Sequence, residues 1–464
     1  MAESSLRKTL RRSVGALLLV FILMVAVLWL KPPELLRVGA NYTAKIVCSN
    51  VFLAGRDPDQ VLRSDVQAPG VALLRFMRVS VDRNGGVVRA GLFGFLGNGL
   101  ALARPGLGCT AVPDGNLAFA RRATPAAPPA PRTPAASAAL WPEGSAVAPD
   151  AAVQSVLADE VLAGAGMRAM VVIYHGRLVA ERYASGFAAT TPLLGWSLAK
   201  SVLAGLVGRL IKDGKVTLNQ SAGWPPTPGD ARSQIRLADL LSMSSGLRFN
   251  EEYGTVSDVT RMLYLQPDAA GFARSQPAAH LPGEVWNYSS GTANIVARLV
   301  QDAAGPVGAA FPQTALFSPL GMTSATMETD EDGTLVGSSY MYATARDWAR
   351  FGLWLAQDGF WQGKDLLPAG FVATMRTPVP SSHGEYGQGF VWLWGSDAAN
   401  GINPDRAFGL PDDCFWLLGH DGQIIAVIPS RHLVVVRLGL TPASQHYQPQ
   451  PLVRAALQAA TRLD

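Results

Sequence analysis

The sequence of 464 residues predicts an α/β (α+β) protein with one antiparallel sheet flanked by helices, a helical subdomain and an N-terminal transmembrane helix. Three observations support this prediction. An unbroken apolar run extends from Val14 to Leu30. Strand-like apolar segments open the main domain, "MRAMVVIYHGRLVAERYASG" from Met167, and close it, "FWLLGHDGQIIAVIPSRHLVVVRLGL" from Phe415. Helical periodicity dominates from Ser197 to about Asp358, so the two ends of the domain are expected to complete one sheet around a helical insertion.

The N-terminal segment predicts a single membrane anchor. Basic residues precede the apolar run (Arg7, Lys8, Arg11 and Arg12), and Lys31 follows it. At about 1.5 Å per residue the run just spans a bilayer core of about 30 Å, and its basic end is expected to stay in the cytoplasm. The expected location is therefore the bacterial inner membrane, with the main domain in the periplasm. Secretion after signal cleavage is the alternative, with Val38-Gly-Ala40 as the nearest small-residue site.

The composition indicates a globular chain, because 48% of its residues are hydrophobic and 16% are charged. The formal net charge is +4. The segment that ends at Lys31 holds five basic residues and one acid, which accounts for the whole excess. The remainder is neutral overall and offers no basic face to nucleic acid.

Composition also divides the chain into four parts. Residues 1–40 form the cytoplasmic stub and anchor, residues 41–122 a small β-rich region near the membrane, residues 123–149 an Ala/Pro-rich linker, and residues 150–464 the main domain. Two apolar runs around the Gly85-Gly86 turn predict the β-rich region. The linker run "ATPAAPPAPRTPAA" favours an extended, semi-rigid form.

The cysteines and histidines predict neither a metal site nor a cofactor. Three cysteines are too few for a disulfide scaffold and lack zinc spacing. In an oxidising compartment Cys48 and Cys109 could pair and leave Cys414 free, or all three could be buried thiols. His175 is interpreted as a turn residue, and no metal-ligand spacing relates the other histidines outside the candidate site, which are His280, His383, His432 and His446.

A serine and a lysine stand three residues apart in "GWSLAKSVLAGLVGRLIKDGK". Apolar residues at four-residue spacing (Leu198, Val202, Leu206 and Leu210) predict a helix that ends at Asp213-Gly214. Ser197 then lies in the first turn, and the Lys200 ammonium can fold back beside its hydroxyl. A nucleophile beside a possible base is typical of acyl-transfer chemistry. The pattern alone is weak, since the N-terminal segment contains a second Ser-x-x-Lys match at Ser5.

Two further segments supply polar groups for such a site. In "GEVWNYSSGTANIVARLV", Tyr288 stands on a loop just before an apolar-periodic helix. In "LLGHDGQIIAVIP", His420-Asp-Gly422 stands at the start of a strand, where the glycine lets a ligand approach the backbone.

Ser197-x-x-Lys200, Tyr288-x-Ser290 and His420-x-Gly422, in this order, resemble the motifs of the penicillin-recognising serine hydrolases of the class C β-lactamase type. The segments "LADLLSMSSGL" and "ATARDWARFG" look like structural landmarks of the same family. "FNEEYGTVSDV" and "WNYSSGTANIV" resemble the substrate loop and tyrosine motif of 6-aminohexanoate-dimer hydrolase and related esterases. The resemblance covers roughly residues 150–455 and implies a β-lactamase/transpeptidase-like fold.

The resemblance implies an acyl-enzyme mechanism. Ser197 would attack a carbonyl, with Lys200 and Tyr288 sharing the proton transfers, and either of these two side chains could be the base. The backbone N–H groups of Ser197 and Gln423 would bind the oxyanion. His420, Gly422 and Ser290 would line the substrate site.

Tyr253 is a candidate second substrate-facing tyrosine, with a surface-loop tyrosine as the alternative. The adjacent Glu251 and Glu252 would attract a cationic amine end of the substrate or would simply form a solvated face.

Two departures from the class C pattern favour an ester or small amide over a β-lactam. Ser290 replaces an asparagine, and His420 replaces a lysine that would hold a substrate carboxylate. A peptidoglycan-directed D-alanyl carboxypeptidase or esterase and a non-catalytic penicillin-binding-like protein remain alternatives. The natural substrate and the oligomeric state are left open.

Overall fold

The computed structural model describes residues 2–68, 71–123, 138–395 and 402–463. Residues 124–137, which form most of the predicted Ala/Pro linker, lie outside the described residues.

The main domain is built on a five-stranded antiparallel sheet, named here the central sheet. In spatial order its strands are Phe415–Gly419, Gln423–Ile428, Leu433–Gly439, Met167–Tyr174 and Arg177–Tyr183. The strands from the start and the end of the domain meet in the middle, where Val436 lies opposite Val171 on one side and Ile425 on the other. The predicted sheet, completed by both ends of the domain, is therefore confirmed.

Helices cover both faces of the central sheet because its strands are apolar on both sides. Ala151–Ala158 and Gln450–Ala460 pack on one face, and Ala345–Ala356 packs on the other. A Cβ at Gly352 of the latter helix would lie 2.7 Å from a Val434 methyl group, so helix and sheet are in close contact. The remaining helices of the domain are Glu160–Ala163, Leu198–Lys212, Leu237–Leu241, Asp258–Leu265, Ala269–Arg274, Ser290–Ala304, Ser318–Leu320 and Phe371–Met375. Short strands are Leu193–Leu194, Thr326–Met327, Met341–Ala343, Phe360–Trp361 and Lys364–Asp365.

One detail of the C-terminal strands differs from the expectation. His420-Asp421-Gly422 forms the turn between two strands instead of opening a strand. Both Asp421 (φ 59°) and Gly422 (φ 78°) have left-handed backbones, which end the first strand and reverse the chain.

The first helix, Ala2–Leu30, is named here the anchor helix. Its segment Leu10–Leu30 has a mean hydropathy of 2.8, none of it is buried, and it is long enough to cross a membrane. A signal sequence near an N-terminus has the same properties, so length and composition leave both interpretations open.

The helix Glu34–Phe52, named here the wall helix, packs on a four-stranded antiparallel sheet of Met77–Asp82, Val87–Leu92, Leu96–Arg104 and Gly108–Ala111. Short helices at Pro58–Val61 and Leu117–Ala120 complete this region. A disulfide between Cys48 and Cys109 joins the wall helix to the last strand, and Cys414 is a buried free thiol.

The wall helix is also part of the main hydrophobic core. Lys45 forms an ion pair with Glu328, and both side chains are fully buried. The Asn41 amide donates to the Tyr264 carbonyl oxygen (2.9 Å) and accepts from the Leu100 backbone N–H (3.1 Å). These contacts satisfy polar groups that would otherwise be buried without partners, so they fix the wall helix against the main domain.

Candidate active site

Ser197 stands at the start of the helix Leu198–Lys212, named here the serine helix. The helix ends at Lys212 with Asp213 as its C-cap, at the Asp213-Gly214 stop that the sequence predicts. Ser197 is partly exposed, whereas the flanking Trp196 and Leu198 are buried. Trp196 has a left-handed backbone (φ 50°), an uncommon conformation for a large side chain and one that clusters at functional sites.

Lys200 folds back onto Ser197. Its side chain is 1% exposed, and its Nζ lies 2.9 Å from Ser197 Oγ, 3.0 Å from Ser290 Oγ and 2.9 Å from the Ser338 carbonyl oxygen. Burial lowers the pKa of Lys200 to about 8, and the charge of nearby Glu251 opposes this shift.

Lys200 Nζ donates to three oxygens, which match the three N–H groups of its charged form. The Ser338 carbonyl can only accept a hydrogen bond, and the Ser290 hydroxyl already donates to Glu251, so it accepts from Lys200. A neutral amine has two N–H donors and one lone pair. In that form Lys200 would keep its bonds to Ser338 and Ser290, and its lone pair would accept from the Ser197 hydroxyl, the arrangement that a general base needs.

Tyr288 lies on the loop just before the helix Ser290–Ala304. The centroid of its ring is 4.8 Å from Lys200 Nζ, and the Ser197 side chain is close enough to influence the pKa of Tyr288. Burial raises the pKa of Tyr288 well above its usual value, against the opposing effect of the Ser197 side chain. The phenol therefore stays protonated at neutral pH and is available as a proton donor.

The His420 turn packs against the chain that leads into Ser197. Gln423 lies opposite Gly419, and a Cβ on Gly419 would be 2.3 Å from the Gly195 carbonyl oxygen. The Gln423 side chain braces the turn, because its Nε2 donates to the Gly439 carbonyl (2.6 Å) and its Oε1 accepts from the Gly439 N–H (3.0 Å). Gln423 can therefore serve the reaction only through its backbone N–H, and this oxyanion role stays a prediction.

A side chain at Gly422 would point into protein and not into the site. A Cβ there would lie 2.8 Å from Arg437 Nη1, and its φ of 78° also favours glycine. Packing and backbone conformation account for this glycine without a ligand.

The beta-lactamase family model matches residues 150–458, which is more than half of the chain. The chain belongs to the beta-lactamase family. This confirms the resemblance and the fold that the sequence predicts. No curated protein matches the chain.

Solved structures share this beta-lactamase fold at low identity. A candidate 6-aminohexanoate-dimer hydrolase from Bacillus anthracis is 21% identical over 64% of this chain and 80% of its own, with a TM-score of 0.52. A candidate beta-lactamase from Bacteroides dorei is 19% identical over 66% and 96%, with a TM-score of 0.53. A penicillin-binding protein homolog from Caulobacter crescentus is 16% identical over 68% and 99%, with a TM-score of 0.50.

In this beta-lactamase-family chain, Glu251 contacts Ser290, a partner that the sequence does not reveal. Its carboxylate accepts hydrogen bonds from the Ser290 hydroxyl and from the Ser290 backbone N–H (2.7 Å). Burial raises the pKa of Glu251, while the charge of Lys200 opposes the rise. Glu252 beside it is exposed. Nothing in an aperiodic loop distinguishes the two acids, because the partner of Glu251 lies in a distant segment.

Three rings border the site. Tyr253 stacks on His420 with ring centroids 4.8 Å apart, and Trp196 lies edge-on to His420 at 5.4 Å. Tyr253 is partly buried in its loop beside the site, and its role as a substrate-facing tyrosine stays a prediction. His420 keeps 39% of its side chain exposed.

A cavity of about 280 Å³ is lined by these same three rings. Among the described residues, Ser197, Lys200 and Tyr288 do not line it, so the rings form the boundary between the cavity and the reactive groups. Within the described part of the chain, no group of three His, Cys, Asp or Glu side chains is arranged to hold a metal ion.

Proposed function

We propose that this beta-lactamase-family protein is a serine hydrolase that cleaves an ester or small amide through an acyl-Ser197 intermediate. The observation that supports this best is the contact of Lys200 Nζ with Ser197 Oγ at 2.9 Å, combined with the lowered pKa of Lys200. The anchor helix would hold the catalytic domain at the outer face of the inner membrane.

In the proposed reaction, neutral Lys200 takes the hydroxyl proton of Ser197 as Oγ bonds to the substrate carbonyl carbon. The backbone N–H groups of Ser197 and Gln423 stabilise the oxyanion. Loss of one such donor typically raises the activation barrier by about 3 to 4 kcal/mol. Tyr288 then donates its proton to the leaving oxygen or nitrogen and regains one from Lys200. Water cleaves the acyl-enzyme by the reverse proton path, which restores Ser197 and neutral Lys200.

The surroundings favour a neutral ester over a β-lactam or a peptide with a free carboxylate. Ser290 is engaged by Glu251 and Lys200, so it is not free to hold an acylamino group. None of the described residues that line the adjacent cavity is a lysine or arginine, so a carboxylate would find no fixed cation there.

A serine-directed probe tests the proposal. The detergent-solubilised protein should react with a fluorophosphonate and hydrolyse p-nitrophenyl acetate, and Ser197→Ala should abolish both. Ser155→Ala, which alters an exposed serine on the helix Ala151–Ala158, should change neither. An unlabelled wild-type protein, or labelling that survives in Ser197→Ala, would favour the non-catalytic alternative.

A further inference from the structure

We infer that the substrate is a membrane-lipid ester whose acyl chain occupies the cavity between the wall helix and the catalytic domain. This inference rests on the proposed hydrolase function. It assigns a role to the N-terminal region, which lies outside the residues that match the beta-lactamase family.

One wall of the cavity comes from that N-terminal region. Its lining includes Leu35, Val38 and Tyr42 of the wall helix and Val71, Leu73 and Leu74 of the segment that follows. The opposite wall is made by Trp196, Tyr253 and His420 of the catalytic domain. The binding space therefore exists only because the two regions pack together.

The lining suits an aliphatic chain. Most of the lining side chains are aliphatic or aromatic. Of its two acids, Asp65 is paired with Arg56 (2.6 Å) and Arg168 (2.8 Å), and Asp421 lies 3.4 Å from His420 Nε2. At about 30 Å³ for each water-sized group, a volume of about 280 Å³ accommodates roughly eight to ten carbon atoms. Apolar burial drives such a chain out of water and into the cavity.

The cavity and the reactive groups lie on the two sides of the Trp196, Tyr253 and His420 rings. Tyr253 lines the cavity, and the side chain of Ser290, the partner of Lys200, is close enough to Tyr253 to oppose the rise that burial causes in the pKa of Tyr253. With its carbonyl group at Ser197, the substrate would place its acyl chain past the partly exposed His420 ring and into the cavity.

The position of the wall helix next to the anchor helix indicates that the acyl chain comes from a membrane lipid. The wall helix begins at Glu34, only four residues after the anchor helix ends at Leu30. Two lining residues at this end are partly exposed, Leu35 at 43% and Val71 at 40%. Since the anchor would place these residues at the membrane surface, the cavity is expected to open toward lipid.

An exposed aromatic patch (Phe76, Phe93 and Phe95) lies at the same end. These side chains are 51%, 57% and 50% exposed, and the rings of Phe76 and Phe93 are 5.7 Å apart. Their turn is held beside the wall helix, because a Cβ at Gly97 would lie 3.1 Å from Leu36. Exposed arginines, Arg75 and Arg78, flank the patch. Aromatic and basic side chains together are typical of a surface that rests in the lipid headgroup layer.

The first test compares acyl chain lengths. For the full-length protein, kcat/KM for p-nitrophenyl esters should rise at least about tenfold from acetate to decanoate. Val71→Trp and, independently, Leu35→Trp should lower the ratio of decanoate to acetate turnover at least about tenfold, since each adds a large ring to the cavity wall. Val161→Trp makes the same change at a side chain that is 86% exposed and should leave the ratio unaltered.

The second test establishes the source of the ester. Full-length protein reconstituted in phosphatidylethanolamine/phosphatidylglycerol vesicles should release fatty acid, measured by mass spectrometry, and Ser197→Ala and Val71→Trp should suppress the release. Equal turnover of acetate and decanoate, or decanoate turnover without release from vesicles, would overturn the lipid inference alone. Failure of Ser197-dependent acetate hydrolysis would instead overturn the proposed function.

Discussion

Replacing Glu251 by glutamine should shift the acid limb of the pH profile to lower pH. The substitution removes one negative charge and keeps a side chain that can still accept from the Ser290 hydroxyl. Glu251 favours the charged form of Lys200, so its removal should lower the pKa of Lys200 further below about 8. If neutral Lys200 is the base, the enzyme then becomes active at lower pH.

The size of the shift follows from the geometry. Lys200 Nζ is 3.0 Å from Ser290 Oγ, which in turn donates to the Glu251 carboxylate, so the two charges are about 5 Å apart. At an effective dielectric constant of about 20, such a pair interacts by about 3 kcal/mol, or about two pKa units. Ser197 is partly exposed, so solvent at the site screens part of this interaction, and we expect a shift of about one to two units.

The assay is kcat/KM for p-nitrophenyl butyrate between about pH 5 and 10. The wild type should lose activity below about pH 8, and Glu251→Gln should lose it only below about pH 6 to 7. Glu252→Gln, the same charge change at an exposed neighbour, should leave the limb in place. A limb that stays at the wild-type pH in Glu251→Gln would refute the assignment of Lys200 as the base.

Three further predictions concern the site and the wall helix. Lys200→Ala and Tyr288→Phe should each reduce ester turnover at least about a hundredfold, and near-normal rates in both would contradict their proton-transfer roles. The buried Lys200 should also link stability to pH: the unfolded state keeps a proton up to about pH 10.4 that the folded state loses near pH 8, so the free energy of unfolding should rise with pH in that window. Urea titrations should show a gain of up to about 3 kcal/mol in wild type relative to Lys200→Met; parallel curves would rule out the lowered pKa. Replacing Cys48 and Cys109 by alanine should lower the free energy of unfolding by about 2 to 5 kcal/mol, and an unchanged unfolding midpoint would count against a structural disulfide.

Local periodicity predicted the part of the site that depends on one helix. The four-residue spacing from Leu198 to Leu210 fixes which face is buried, and Lys200 then has to lie beside Ser197. The same reasoning placed Tyr288 before its helix. These placements needed no knowledge of distant contacts.

Contacts between distant segments account for what the sequence did not reveal. Glu251 becomes a site residue only through Ser290, and its loop has no period that marks it as inward-facing. The sequence did not predict the wall helix for a similar reason. It starts before residue 41 and buries polar residues such as Asn41 and Lys45, which look solvent-exposed until their partners in the main domain, Tyr264 and Glu328, are known.

The central claim is that a substrate acyl group becomes covalently attached to Ser197. Intact-protein mass spectrometry after brief mixing with an ester and acid quenching tests it most directly, since acyl-enzyme accumulation is the signature of this chemistry. We expect a mass increase equal to the acyl group, located on the peptide that contains Ser197 and absent from Ser197→Ala. Ester turnover with an adduct on another residue, or an unchanged adduct in Ser197→Ala, would contradict the account.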